Sequence, residues 1–396
     1  MLTRIFLLLT TPFLFLSGNP KKAETLPPQY KASKIDKKTP IAEVQTLRLM
    51  FAGDIMSQLP QIASGQNADN QYNFDHCFKY IRPIFEQADL VIGNLECTLA
   101  ATPPYTGYPN FKSPDQLAEA LKKGGFDVLV TSNNHSLDGG LLGVNHTLDE
   151  IRSNGFVHTG TFKNQDHKNL VYPLIIYKNG FKIALLNYTH HTNGISPKPP
   201  AIVNRLDMDV YKKDMQKAKA MKPDFIISFL HWGEEHQLDE DSNQRALARL
   251  MHQWGSDLVV GSHPHVVEPI KNETVTVGNK THNYLTAYSL GNFISAQPFV
   301  NTEGGIVFEV NIKKEKNQTS IEDYYYIPVV RYTPFEKGKQ RFYALPVSPY
   351  EDENNNLNMS ASEKNKMTHF ANRVRNQLEK HGAQERKFAL NQVEIE

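Results

Sequence analysis

The chain has 396 residues, more than one core of ordinary domain size needs, so a single large domain with extensions and a two-domain arrangement are both open. Its 40% hydrophobic and 21% charged residues exclude a disordered chain. A balance of 43 Lys+Arg against 42 Asp+Glu, net +1, excludes a nucleic-acid footprint or a polybasic membrane anchor, so any anionic partner must be held locally.

Residues 1–18 read as a targeting segment: Arg4 gives the positive start, and Ile5 to Leu16 is apolar except for Thr10, Thr11 and Pro12. The run is shorter than the roughly 20 residues of a spanning helix, which predicts export to the periplasm or cell surface. Leu16 spoils a small-x-small cleavage pattern ending at Gly18, so retention as an N-terminal anchor in the cytoplasmic membrane is the alternative. Residues 19–43, rich in Lys, Pro and polar residues, read as a linker. An ordered domain is expected over 44–347.

Within it, apolar runs and helical periodicity alternate. The pattern predicts a strand at 47–53, a helix at about 75–88, a strand at 89–93, a helix at about 115–124, a strand at 126–131 and a helix at about 140–154. Strands at 170–177 and 181–187 flank Asn179-Gly180, a hairpin turn signal. A helix at about 207–221, a strand at 224–230, a helix at about 242–254 and a strand at 257–261 follow, giving an α/β order. Strands at 284–290, 304–313 and 321–331 then read as an antiparallel extension completing a second sheet. The polar tail 348–396 carries Met367, Phe370, Val374 and Leu378 at the spacing of one amphipathic helix. Cys77 and Cys97 are the only cysteines, too few for a disulfide framework. They pair if the fold brings them together and are otherwise small buried residues.

Five apolar runs, LRLMFAGD, LVIGNLE, VLVTSNNH, FIISFLHWG and LVVGSHPH, end at or beside ligand-type residues: Asp54, Glu96, Asn134, His135, His231, His263 and His265. Singly, Asp54 is as well read as a helix cap and His231 as a core histidine. In Gly261-Ser262-His263-Pro264-His265 an extended backbone would aim both imidazoles to one side. Loops at strand ends of an α/β sheet share one crevice, so together these residues outline a metal site. Imidazole, carboxylate and amide oxygen suit Mn, Fe or Zn. His190 and His191, following the strand at 181–187, are rim candidates, with a solvent-facing loop as the alternative.

The segments GDIM (53–56), GNLE (93–96), SNNHSLDGG (132–140), HWGEE (231–235), GSHPHV (261–266) and YSLGNF (288–293) occur in the order seen in the bacterial poly-γ-glutamate capsule synthesis protein family called CapA or PgsA. The chain resembles that family over about residues 47–295. The family in turn is similar to the calcineurin-like metallophosphoesterases, which implies a four-layer α/β/β/α sandwich with a dinuclear metal centre. The resemblance implies that Asp54 stands for the Asp of a D-x-H motif and Glu96, or alternatively Asn94, for the bridging acid. Asn134 matches a ligand and His135 a general acid, with Asp138 as its candidate orienting group. His231 matches the lone His ligand, and His263 and His265 match G-H-x-H. Glu235 and Asn292 are candidates for the rim or the surrounding support.

Met56 departs from the pattern, because it stands where D-x-H has its histidine and a thioether is a poor ligand for a hard ion. One position would keep Asn134, His231, His263 and Glu96; the other would have Asp54, Glu96 and His265. This count predicts one firmly bound ion and a second held weakly or only with substrate. The implied function is an envelope-associated component of capsule synthesis or export, working with membrane-bound synthase components and the polymer, and not with nucleic acid. The alternatives are a free-standing exported phosphoesterase and a non-catalytic, metal-stabilised scaffold of the synthase complex.

Overall fold

The computed structural model describes residues 44–393 except 278–279, 352–354 and 356, so the segments read as export signal and linker lie outside the described residues. In chain order the main elements are β1 (Val44–Ile55), β2 (Leu90–Leu95), α1 (Gln116–Lys123), β3 (Val128–Val130), α2 (Gly140–Ser153) and β4 (Val157–Thr159). Then come β5 (Leu174–Lys178), β6 (Phe181–Thr189), α3 (Met208–Ala220), β7 (Phe225–His231), α4 (Ser242–Trp254) and β8 (Leu258–Ser262). The rest are β9 (Ile270–Val277), β10 (Lys280–Ala287), β11 (Asn292–Ile294), β12 (Gly304–Glu315), β13 (Gln318–Tyr332), β14 (Tyr343–Pro346), α5 (Ala361–Leu378) and β15 (Gln384–Glu385).

Two mixed sheets result. The first runs β14-β13-β12-β1-β2-β3-β4, with β11 parallel to β1 and β15 on β13. The second runs β9-β10-β8-β7-β6-β5. β7 is buried at all seven positions because both of its faces are covered, which is why FIISFLH is a nearly continuous apolar run. Successive side chains point to opposite faces. Ile183, Leu185, Phe225, Ile227, Phe229 and Val260 thus join the core shared with the first sheet, where Phe51 and Phe229 have ring centroids 6.5 Å apart. Ala184, Leu186, Tyr188, Ile226, Leu230 and Val259 pack instead with Tyr211 and Met215 of α3 and Met251 of α4. Leu117 and Leu121 of α1, Leu148 and Ile151 of α2 and Phe370 of α5 join the core of the first sheet, completing an α/β/β/α sandwich.

The structure corrects several local readings. The single helix expected at 75–88 is a 3-10 turn, Asp75–Phe78, followed by a four-residue helix, Arg82–Phe85. Pro83 lacks an N–H and fits only the first turn, so helix restarts there. Residues Gln165–Val171 are helical rather than the start of a strand: Asn164 caps them, its side chain accepting from the His167 N–H at 2.7 Å, and the strand begins only after Pro173. The extension after His265 is divided between the sheets. β10 lies parallel to β8 in the second sheet and pairs with an unforeseen β9. β12 runs antiparallel to β1 from Val44↔Glu315 to Ala52↔Val307 and carries β13 into the first sheet. Buried Ile306, Val307, Phe308 and Val310 explain the placement, since both faces of β12 need apolar cover. Cys77 and Cys97 are free and buried.

Within each sheet the site-bearing strands are parallel: β1, β2 and β3 in the first, β6, β7 and β8 in the second. The carboxyl ends of both sets open onto one crevice.

Candidate metal centre

Each site residue is set by a strand end. Asp54 on β1 is registered beside Asn94 of β2 on one side and Asn292 of β11 on the other. His231 ends β7 beside Ser262 of β8 and Thr189 of β6. His263 and His265 follow β8 in an unusual conformation, with φ of 105° and 61°. This corrects the extended reading of that segment. Side-chain-bearing residues with positive φ are strained and cluster at functional sites. The bend sends the two imidazoles to different donors.

One group forms around His231 Nε2, which lies 2.8 Å from Asn134 Oδ1, 3.1 Å from His263 Nδ1 and 3.6 Å from Glu96 Oε1. The other forms around His265: its Nδ1 is 3.1 Å from Asp54 Oδ2 and its Nε2 is 3.9 Å from Glu96 Oε1. Glu96, His231 and His263 thus offer one set of buried donors, and Asp54, Glu96 and His265 a second that shares Glu96. Both carboxylate oxygens of Glu96 are buried and have no hydrogen-bond partner among the described residues. A buried carboxylate in that state is strongly disfavoured, and a divalent cation between the two sets is the partner that would satisfy it. The residues therefore fit a metal.

The electrostatics agree with that fit. Burial, reinforced by the charges of Asp54, Glu235 and Asp138, pushes the Glu96 carboxyl far above the usual carboxylate range. Burial also pushes the Asp54 carboxyl up, but the hydrogen bond and charge of His265, with His231 and Ser262, outweigh it and hold Asp54 below that range. Burial and neighbouring histidines lower His231 to about 3, and burial with the charges of His231, His265 and His191 takes His263 well below its usual value. Both imidazoles are therefore neutral at pH 7, the state that ligates.

Beside the donors, His135 Nδ1 is 2.7 Å from Asp138 Oδ2, which also accepts from the Phe111 N–H at 2.6 Å. The Phe111 ring stands edge-on to His135 at 4.5 Å. Asn94 is placed as a support: its Nδ2 donates to Asp54 Oδ1 at 2.8 Å and lies 3.3 Å from His231 Nδ1. His191 packs against His263 at 5.0 Å, while His190 is exposed, its backbone N–H bonded to the His231 carbonyl and its ring 6.5 Å from that of His191. Glu235 is exposed at the mouth. Met56 is buried with its sulfur 3.5 Å from Ser295 Oγ, from which it accepts.

Several contributors escape sequence reading. Asn133 ties the loops together, donating to the Leu95 carbonyl and accepting from the His135 N–H. Ser262 Oγ donates to Asp54 Oδ1 at 2.6 Å, and Asn193 accepts from Asn134 Nδ2 at 3.3 Å. His236, its ring tilted against Phe299 at 4.7 Å and 6.2 Å from the His265 ring, lines the mouth. The amide doublet in SNNH and the His in GEEH were the available signals. Asn193 gives none.

Residues 48–297 match the family described as bacterial capsule synthesis protein PGA_cap. The chain is 30% identical over 289 residues to the PGA biosynthesis protein CapA of Bacillus subtilis (strain 168), covering 68% of each chain. It is 29% identical over 294 residues to the capsule biosynthesis protein CapA of Bacillus anthracis, covering 71% of this chain and 67% of that one. Among solved structures it is similar to a phosphatase from Mycoplasma pneumoniae, with 18% identity, a TM-score of 0.44, and 72% of this chain and 94% of that one covered.

Proposed function

We propose a function from the premise that this chain belongs to the bacterial capsule synthesis protein PGA_cap family: it is an exported, envelope-associated component of poly-γ-glutamate capsule synthesis or export, with a metal-dependent phosphoesterase-like site. The observation that carries the site reading is Glu96, buried between two sets of imidazole and carboxylate donors with neither oxygen hydrogen-bonded among the described residues. Asn134, His231, His263 and Glu96 would hold one divalent ion, and Asp54, Glu96 and His265 a second. Such an ion supplies Lewis acidity and a nucleophile at neutral pH. The remaining work falls to the chain's own groups. Asp138 holds His135 by its Nδ1, which leaves Nε2 to deliver a proton to a leaving oxygen. Phe111 limits how the His135 ring can rotate. The His135–Asp138 pair favours catalysis over a scaffold, because a structural ion has no need of an oriented acid.

Membrane-bound synthase components and the polymer are the proposed partners. Among the described residues no helix is long and apolar enough to cross a membrane; residues 1–18 are the segment proposed to direct export or to anchor the chain. The test is complementation of a deletion strain. The unaltered chain should restore capsule and retain a divalent ion on purification, and His231→Ala should do neither. Full capsule with His231→Ala protein shown to lack metal would overturn the reading.

A further inference from the structure

With Met56 in place of a histidine, the Asp54 position has three donors, Asp54, Glu96 and His265, and the Met56 sulfur is engaged by Ser295. A fourth donor is nevertheless present. β11 lies parallel to β1 with Asn292 registered beside Asp54, and the approach is close: a Cβ on Gly53 would stand 2.0 Å from the Gly291 carbonyl oxygen. The Asn292 side chain is buried, and its Nδ2 donates to Gln297 Oε1 at 2.8 Å and to the Thr302 carbonyl at 3.1 Å. A backbone carbonyl can only accept, so the amide nitrogen must face Thr302 and the oxygen must face the crevice. There Asn292 Oδ1 lies 3.2 Å from His265 Nδ1, which is itself 3.1 Å from Asp54 Oδ2. Donors spaced by about 3 Å match neighbouring ligands of an octahedral ion with bonds of about 2.1 Å.

Resting on the metal reading above, we propose that Asn292 is a metal ligand, supplying through Oδ1 the donor that Met56 does not, and that the two positions therefore differ in chemistry. The His231 position takes two imidazoles, one amide and one carboxylate. The Asp54 position takes one imidazole and three oxygens, a harder set that favours Mn-like over Zn-like ions. Gln297 and Thr302 act on it by fixing the amide, as outer groups fix ligands generally.

The test is titration of the metal-free, full-length chain with MnCl2, followed by calorimetry and by elemental analysis after gel filtration. The unaltered chain should take two Mn2+. Asn292→Leu should weaken one of them by at least about tenfold and leave the other unchanged, whereas Asn292→Asp should keep both. His231→Ala should lose the opposite ion. Two ions bound with unaltered affinity by Asn292→Leu would overturn the assignment, as would a single ion in the unaltered chain that Asn292→Leu leaves untouched. An unaltered chain that binds no Mn2+ would instead remove the metal reading itself. If Asn292→Leu fails to fold, Gln297→Ala keeps the ligand but loosens its amide. Selective weakening of the same ion supports the proposal, and unchanged affinity for both overturns it.

Discussion

His135 and Asp138 separate chemistry from structure, because they sit beside the donor sets rather than among them. His135→Ala should leave melting temperature and metal content nearly intact while lowering phosphoester turnover by about 100- to 10,000-fold. Asp138→Asn should cost less and shift the acidic or basic limb of the pH–rate profile. Normal turnover by metal-loaded His135→Ala would remove the general-acid assignment, whereas normal capsule with no measurable turnover in either protein would leave the scaffold reading standing. At this scale much was legible in the chain, because carboxylates and imidazoles are uncommon at the ends of apolar runs. Asn133 and Ser262 were not legible, since amides and hydroxyls end strands for many reasons and only the fold shows which ones touch Asp54 or the Leu95 carbonyl. The conformation of His263 and His265 was also hidden, since Pro264 suggested an extended segment and the φ angles are positive.

Elements set the tolerance of the site. The contact between Gly53 and Gly291 lets β11 approach β1, so Gly53→Ala should force the strands apart. A fall in melting temperature together with weaker binding of the Asp54-side ion is the expected outcome, and two unaltered values would show that the approach can relax. Strands such as 224–230 and 257–261 were read nearly to their bounds because burial on both faces leaves a continuous apolar signature. The division of the later strands between the sheets was not legible. Neither β10 nor β12 carries a mark in its own sequence that selects a sheet, and the choice is made by pairing with β8 and β1. Helical periodicity at 75–88 was equally misleading, since it registers apolar spacing but not the restart imposed by Pro83.

At the scale of the whole molecule, α5 buries Met367, Phe370, Val374 and Leu378, and Phe370 meets β12 where Gly304 leaves room for its ring. Phe370→Ala should cost about 3–5 kcal/mol in chemical denaturation. Stability should also depend on pH through Glu268, which burial, opposed by its hydrogen bond from Gln244 and aided by Glu240 and Asp241, raises to about 8. Because its folded value lies above the unfolded one, its contribution is fully present below about pH 4.5 and is lost as pH rises through 8. Glu268→Gln removes that titration. The difference in melting temperature between variant and parent should grow in the variant's favour from pH 5 to pH 8, and a flat difference would refute the assignment. The division of donors between sheets has a further consequence: Asp54 and Glu96 belong to the first, and His231, His263 and His265 to the second. Any ion they share would be a clasp between two halves otherwise joined by apolar packing and by polar contacts such as Ser262 to Asp54 and Lys314 to Asp224. Its grip scales with supply, adding about 2.7 kcal/mol when free ion stands at 100 times its dissociation constant. The protein's lifetime would then rise and fall with the trace-metal content of its surroundings, and adding EDTA should shorten its half-life against protease.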